Sequence, residues 1–259
     1  MSLWERKGIG QGLAGYALVA LMCLLLLGPI ACSATEVWSD NFNDGRIDGW
    51  SISAYNGGSQ WTAVDGVLKV NQSLIGAIYH DSTQVVGTWS FDIRTCNNPS
   101  PSQTNDIAVF FISTEPAFYV GEDPMIGYAF QQSPASIEGE MKHVFSIRKK
   151  TAEMDSITRA LVLDSYVGES ADSRWYHIDV TRAENGQMTA YLNGTRILQA
   201  YDTDFDTSEC VVCVGTMHQC FDNIVVDDTP PGIPTELLAV GAGAVAVVVV
   251  TLVALKRRR

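Results

Sequence analysis

The sequence is short of basic residues. It has 17 lysines and arginines against 29 aspartates and glutamates, which gives a formal net charge of −12. A surface of this sign repels a phosphate backbone, so we do not expect nucleic acid as a partner. Carboxylate-rich loops suit solubility in salt and divalent-cation binding, although most such carboxylates are simply solvated.

The short motifs of common catalytic centres are also missing. The chain contains no Gly-x-Ser-x-Gly nucleophile elbow, no His-Glu-x-x-His zinc motif and no phosphate-binding P-loop. Its four histidines show no metal-ligand spacing among themselves. These absences argue against the enzyme classes built on those motifs, but they leave room for an enzyme whose site residues are dispersed along the chain.

Helical periodicity is almost absent between the two ends of the chain, and short alternating runs take its place. Residues 85–95 (VVGTWSFDIRT) put three large apolar side chains on one face and Ser90, Asp92 and Arg94 on the other. Residues 107–114 (IAVFFIST) begin with six consecutive apolar residues, as in a strand buried on both faces. Asp-Gly and Asn-Gly pairs supply tight hairpin turns. Roughly a dozen such strands predict a β-sandwich or jelly roll.

The beginning of the chain has the layout of a secretory signal peptide. Arg6 and Lys7 precede the apolar run 14–27, and small residues follow that run. We therefore predict that residues 1–34 are removed on export. A second membrane anchor and lipid attachment at Cys32 are the alternatives.

The end of the chain has the layout of a membrane anchor. Residues 237–255 are uncharged and, as a helix, would span roughly 28 Å, the thickness of a bilayer's hydrocarbon core. The basic tail 256–259 favours a cytoplasmic carboxyl terminus. A proline-rich spacer, 229–236, precedes the helix. Residues 35–228 are then the exported domain of a single-pass protein of the cell membrane. A buried core helix is the alternative.

The predicted ectodomain contains four cysteines. An even count in an exported domain favours two disulfides among Cys96, Cys210, Cys213 and Cys220. Residues three apart in an extended strand point to opposite faces, which disfavours Cys210 with Cys213. We favour the pairs Cys213–Cys220 and Cys96–Cys210. A zinc site that includes His218 competes, but its spacing departs from that of zinc knuckles.

Two N-glycosylation sequons, at Asn71 and Asn193, are compatible with export. Short sequons also arise by chance, so they permit glycosylation rather than establish it.

Several turn and strand motifs occur in order at 40–45 (DNFNDG), 48–50 (DGW), 61–68 (WTAVDGVL), 175–180 (WYHIDV), 191–195 (YLNGT) and 221–226 (FDNIVV). Together they resemble the motifs of concanavalin A-like lectin/glucanase jelly rolls. The resemblance covers about residues 36–228 and implies an all-β, concanavalin A-like jelly-roll β-sandwich. That fold carries lectins, carbohydrate modules, hydrolases and lyases, so it implies an activity only weakly.

The resemblance also implies a structural calcium ion. Lectin-like sandwiches often hold one where the first and last strands meet, and Asp40, Asp44 and Asp222 are the matching candidates here. A second acidic run, 202–206, lacks the glycine of a calcium loop, and we predict a solvated turn there.

The catalytic carboxylates of the related glucanases are not matched. Those enzymes carry Glu-x-Asp-x-x-Glu on one strand, and the similar segment 153–158 has no second glutamate. This departure favours a binding protein over an enzyme.

The ligand-binding candidates are polar side chains on alternating strands. His177 and Asp179 share the polar face of one strand, Asp92 and Arg94 that of another, and we expect Arg148 on a comparable face. Among the tryptophans, we assign Trp89 and Trp175 to the core and expect Trp61, which follows two glycines, to be exposed and free to stack on a sugar. These residues form the predicted site in full: Trp61, Asp92, Arg94, Arg148, His177 and Asp179.

The layout at the carboxyl end resembles that of archaeal surface proteins, in which a Pro-Gly motif, a valine-rich helix and a short basic tail end the chain. Ile233 stands where their processing signal has phenylalanine, so we retain the anchor. The sequence thus favours a surface-anchored, non-catalytic module that binds an extracellular glycan or surface protein. A carbohydrate-active enzyme and a structural envelope component are the alternatives.

Overall fold

The computed structural model describes residues 36–53, 61–70, 75–95, 106–115, 125–154, 157–170, 174–215 and 219–228. The predicted signal peptide, spacer, transmembrane helix and basic tail lie outside these ranges, as do Asn71 and Cys96. Within the described part of the chain, no helix is both long enough and apolar enough to cross a bilayer.

Fifteen β-strands and one short 3-10 helix make up the described regular structure. The strands of the first half are β1 Glu36–Asp40, β2 Trp50–Ile52, β3 Trp61–Val64, β4 Val67–Val70, β5 Gly76–Asp81, β6 Gly87–Thr95 and β7 Ile107–Ser113. Those of the second half are β8 Gly127–Ile137, β9 Glu140–Lys150, β10 Leu161–Ser170, β11 Tyr176–Arg182, β12 Gln187–Leu192, β13 Thr195–Tyr201, β14 Cys210–Gly215 and β15 Gln219–Asp227. The 3-10 helix is Ile157–Arg159.

The strands form two antiparallel sheets. One has eight strands in the order β13-β12-β11-β6-β15-β4-β3, with β1 also paired to β15. The other has seven, in the order β10-β9-β8-β7-β14-β5-β2. The predicted all-β class is confirmed, and so is the pairing of the first strand with the last, in which Asp40 lies opposite Ile224.

The core lies between the sheets, and alternation in the sequence decides which side chains enter it. In β6, Trp89, Phe91 and Ile93 are buried, and the residues between them are only half-buried, as predicted. Strand β7 is buried along its whole length, because its outward side chains belong to a second apolar cluster that also includes Met125.

Two hairpins are closed by the Asp-Gly and Asn-Gly turns that the sequence predicts. Asp65 and Gly66 join β3 to β4 with φ of 56° and 71°, and Asn193 and Gly194 join β12 to β13 with φ of 48° and 78°. Positive φ at both positions matches the right-handed twist of the strands. The Asn193 side chain is exposed at its turn, and its Oδ1 accepts a hydrogen bond from the His177 amide at 3.0 Å.

The acidic run 202–206 is not simply a solvated turn. Asp202 accepts a hydrogen bond from the hydroxyl of Tyr128, and its second oxygen lies 2.7 Å from Nζ of Lys149, which also contacts Asp204. Burial alone would raise the pKa of Asp202, but the hydrogen bonds from Lys149 and Tyr128 lower it below its ordinary value. The run therefore anchors the end of β13 to the seven-stranded sheet.

Two tryptophan assignments made from the sequence are wrong. Trp61 is only 3% exposed, and its ring lies 5.8 Å from that of Phe221 in the core. Trp175 is half-buried on the surface, because it is in phase with His177 and Asp179 rather than with the apolar residues of β11. The assignment of Trp89 to the core is confirmed.

Disulfide formation among the four cysteines stays a prediction, and the described structure shows no bond at two of them. Cys210 and Cys213 are buried, free thiols. They belong to opposite faces of β14, since Cys213 packs in the core between the sheets and Cys210 in the second apolar cluster. Burial raises the pKa of Cys210 to about 12. At that pKa the thiolate that drives disulfide exchange is scarce.

Candidate functional site

The structure divides the predicted ligand-binding residues among three places. Asp92, Arg94, His177 and Asp179 come together on the outer face of the eight-stranded sheet, where β6 and β11 are neighbours. Trp61 lies in the core instead. Arg148 belongs to β9 in the other sheet, so it cannot join the first group.

His177 lies between two carboxylates on the eight-stranded sheet. Its Nδ1 is 2.6 Å from Oδ1 of Asp92, and its Nε2 is 3.3 Å from Oδ1 of Asp179. The second oxygen of Asp92 accepts from Asn223 at 2.7 Å, and Asp179 accepts from Ser90 at 2.5 Å. We call this group the His177 cluster. The hydrogen-bonding groups of these side chains are paired with one another, so no ligand is required to pair them.

An aromatic side chain lies beside this cluster. The guanidinium of Arg94 lies 4.6 Å from the ring centroid of Trp175 in a cation–π contact, and Arg94 also donates to Sγ of Cys220 at 3.7 Å. The ring face toward Arg94 is thus occupied by the protein itself.

The two carboxylates make His177 a stabilising group only while it carries a proton. Burial lowers the pKa of His177, but the hydrogen bond to Asp92 and the charges of Asp179 and Asp92 outweigh it and raise the pKa above 6.5. The folded state therefore holds this proton more tightly than the unfolded chain does. The resulting stability is fully present below pH 6.5 and is lost as the pH rises through the raised pKa.

We expect His177→Gln to remove this pH-dependent component. Compared with wild type, the variant should lose unfolding free energy below pH 6.5 and converge with it well above the raised pKa. Urea unfolding of both proteins between about pH 5 and about pH 9 measures the difference. Parallel curves over the whole range would show that the imidazolium makes no such contribution.

The predicted calcium ligands are largely occupied by local hydrogen bonds. Asp40 accepts from the Trp50 indole and from a backbone amide, each at 2.8 Å, and Asp44 accepts from the Arg46 amide at 2.9 Å. Burial raises the pKa of Asp222, and the charges of Asp92 and Asp40 add to that effect. Among the described residues, no three His, Cys, Asp or Glu side chains are arranged to hold a metal ion. Calcium binding stays a prediction.

The other sheet carries a different group of polar side chains on its outer face. In β8 and β9 the core residues Phe130, Phe145 and Ile147 alternate with polar ones that point away from the core. Together with Asp106, the residue just before β7, four of these side chains form what we call the polar patch: Asp106, Gln131, Ser133, Ser146 and Arg148.

The two charged side chains of the polar patch, Asp106 and Arg148, are half-buried. Burial raises the pKa of Asp106, and the hydrogen bond from Ser133 and the charge of Arg148 only partly offset it. Burial likewise lowers the pKa of Arg148, against the opposing effect of Asp106. Shifted titrations of this kind concentrate at functional sites, although structural ion pairs also produce them.

Arg148 is fixed in place by its neighbours. Its Nε donates to Oγ of Ser146 at 3.1 Å, and its NH1 donates to the carbonyls of Ile157 and Thr158 at 3.4 and 3.1 Å. The 3-10 helix thus orients the guanidinium against one side of the patch.

Gln131 is the exception among the patch residues. It is 1% exposed, and its Oε1 has no hydrogen-bond partner. A buried acceptor left unpaired costs about 1 to 3 kcal/mol. The indole nitrogens of Trp38, Trp61 and Trp89 are buried without a hydrogen-bond partner in the same way. Opposite Gln131 in the neighbouring strands lie Ala108 and Ser146, and Ala108 has no polar side chain to offer. The patch therefore contains an acceptor that the described protein does not satisfy.

Sequence reasoning identified only Arg148 of this patch. The signal it missed is the polar alternation of Gln131 with Ser133 and of Ser146 with Arg148 on two strands joined by a hairpin. A hairpin brings such pairs to the same face of a sheet, so the juxtaposition could have been found. The contribution of Asp106 could not, because it depends on the pairing of β7 with β8.

No protein-family model and no curated protein sequence matches the chain. Solved structures resemble it in fold. The carbohydrate-binding module CBM66 from Bacillus subtilis is 16% identical, with a TM-score of 0.52 over 68% of this chain and 93% of that one. The Emp47p carbohydrate recognition domain is 11% identical, with a TM-score of 0.55 over 77% and 98%. A Clostridium perfringens endo-β-galactosidase that releases GlcNAcα1-4Gal is 9% identical, with a TM-score of 0.52 over 76% and 63%. At these identities the likeness establishes the β-sandwich fold alone.

Proposed function

We propose that the chain is an exported, membrane-anchored, non-catalytic carbohydrate-binding protein whose site is the polar patch. The observation that carries the choice of site is the half-buried pair of Asp106 and Arg148, whose charges act on each other and whose guanidinium is held in place by Ser146 and the 3-10 helix. Convergent polar groups on a rigid sheet are what sugar hydroxyls require. A carbohydrate-binding module and a carbohydrate recognition domain among the structural neighbours support the ligand class.

The His177 cluster is the weaker candidate. Both ring nitrogens and both oxygens of Asp92 already have partners within the protein, and His177 is exposed. A ligand would have to break these contacts before it gained any. We therefore assign the His177 cluster to stability.

The alternative of a glycoside hydrolase is less well supported. Such an enzyme needs two carboxylates about 5 Å apart if it retains configuration, or roughly 6.5 to 9.5 Å apart if it inverts. Among the described residues, the ionisable group whose charge acts on Asp106 is Arg148, and no second carboxylate there contributes to the shift in its pKa. Asp106 therefore suits an acceptor of ligand hydroxyls better than one member of a catalytic pair.

A glycan array of the full-length chain tests the proposal. We expect selective binding of a set of glycans, and we expect Asp106→Asn to weaken it by about 10-fold or more, the effect of a hydrogen bond to a charged group. Asp92→Asn, the same change on the opposite face of the sandwich, should alter affinity less than about twofold. Equal losses in the two variants would contradict the assigned site. A reducing-sugar assay on the bound glycans should stay at background, and turnover would contradict a non-catalytic role.

A further inference from the structure

The turn between β12 and β13 presents a whole N-glycosylation sequon to solvent. Asn193, Gly194 and Thr195 are all exposed, and a Cβ added at Gly194 would meet no atom within 4 Å. Positive φ at Asn193 and Gly194, 48° and 78°, turns the chain back on itself at this point. A bulky group attached to the turn would therefore have open space beside it.

The side-chain amide of Asn193 is held through its oxygen. Oδ1 accepts a hydrogen bond from the His177 amide at 3.0 Å, and the Asn193 amide donates to the His177 carbonyl at 2.8 Å. An N–H group can only face the oxygen of a side-chain amide, so this contact fixes which end is Nδ2. Within the described ranges, no hydrogen bond leaves Nδ2. The nitrogen is therefore available at an exposed position.

Other described asparagines lack one or more of these features. Nδ2 of Asn223 already donates to Asp92 at 2.7 Å. Asn185 is exposed in the turn between β11 and β12, but Gln187 stands where a sequon requires Ser or Thr. Of the asparagines in the described ranges, Asn193 alone lies in a sequon. Sequence motif, exposure and an unused Nδ2 therefore coincide at Asn193.

We propose that Asn193 carries an N-linked glycan in the exported protein. The donor is a lipid-linked glycosyl phosphate or diphosphate. Nδ2 bonds to the anomeric carbon of the sugar, the bond from that carbon to the phosphate oxygen breaks, the phosphate leaves with the bonding electrons, and Nδ2 gives up one proton. Thr195 supplies the hydroxyl that the sequon requires. This inference rests on the export that forms part of the proposed function, and it places the modification on the sheet that does not carry the polar patch.

Peptide mass spectrometry of the full-length chain in its native cells tests the inference. Trypsin is applied to intact cells, and it releases residues 183–196 as one peptide that contains both Asn185 and Asn193. Fragmentation of this peptide should place the mass of a glycan at Asn193 and none at Asn185. Thr195→Ser should keep the glycan and Thr195→Ala should lose it. Both variants should fold, because position 195 is exposed.

Three other results would contradict this modification. A bare Asn193 in peptides released from intact cells would overturn the inference and leave the proposed export standing. Release of the peptides only after lysis would overturn the export, and the inference with it. A glycan that survives Thr195→Ala, or that occurs equally at Asn185, would overturn the assignment to this sequon.

Discussion

Replacing Trp61 with alanine is expected to destabilise the protein by about 3 to 5 kcal/mol, the cost of deleting a large buried aromatic side chain. Trp61 is 3% exposed and packs against Phe221 of the last strand. Its removal would leave a cavity where β3, at the end of the eight-stranded sheet, meets the core. Chemical unfolding of the two proteins gives the difference directly.

Trp175→Ala is the matched control for this experiment. Trp175 is half-buried and contacts Arg94 on the outer face, so its loss should cost about 1 kcal/mol, the size of an exposed cation–π contact. If Trp61 were instead a surface residue that stacks on sugar, its alanine variant would keep its stability and lose binding. That result would restore the interpretation drawn from the sequence.

Gly127→Ala is expected to cost more than about 3 kcal/mol, because backbone strain and overpacking add at this position. Gly127 begins β8 with φ of +156°, and an added Cβ would lie 1.9 Å from the carbonyl oxygen of Ile112 in the neighbouring strand. Strand β7 is buried along its whole length and cannot move aside easily. Thermal or urea unfolding reports the loss.

Gly139→Ala separates these two causes. Gly139, in the turn between β8 and β9, also has positive φ, +86°, but an added Cβ would meet no atom within 4 Å. We expect only the conformational penalty there, about 1 to 2 kcal/mol. Equal losses at the two glycines would mean that the close approach of β7 and β8 is unimportant.

Local pattern in the sequence was enough to predict which way most side chains point. The alternation in β6 and the continuous apolar run of β7 both describe burial correctly, because two residues per repeat is a property of the strand itself. The hairpins at Asp65 and Asn193 were also predicted correctly, because their turn residues favour positive φ.

The composition of the candidate site could not be predicted in the same way. Arg148 and His177 both lie in runs where polar and apolar residues alternate, yet they lie on different sheets, because strand order is set by pairings distant along the chain. Trp61 looked exposed beside its glycines and is buried by Phe221, which lies far from it in sequence. The unpaired Oε1 of Gln131 depends on what its neighbours on β7 and β9 fail to offer.

Hydrogen–deuterium exchange of the full-length chain, with and without the tightest glycan of the array, tests the central claim most directly. Binding at the polar patch predicts added protection in peptides that cover Gly127–Ile137 and Glu140–Lys150. Peptides that cover Gly87–Thr95 and Tyr176–Arg182, around the His177 cluster, should remain unchanged. Protection confined to that second pair of strands would place the ligand on the opposite face and contradict the account.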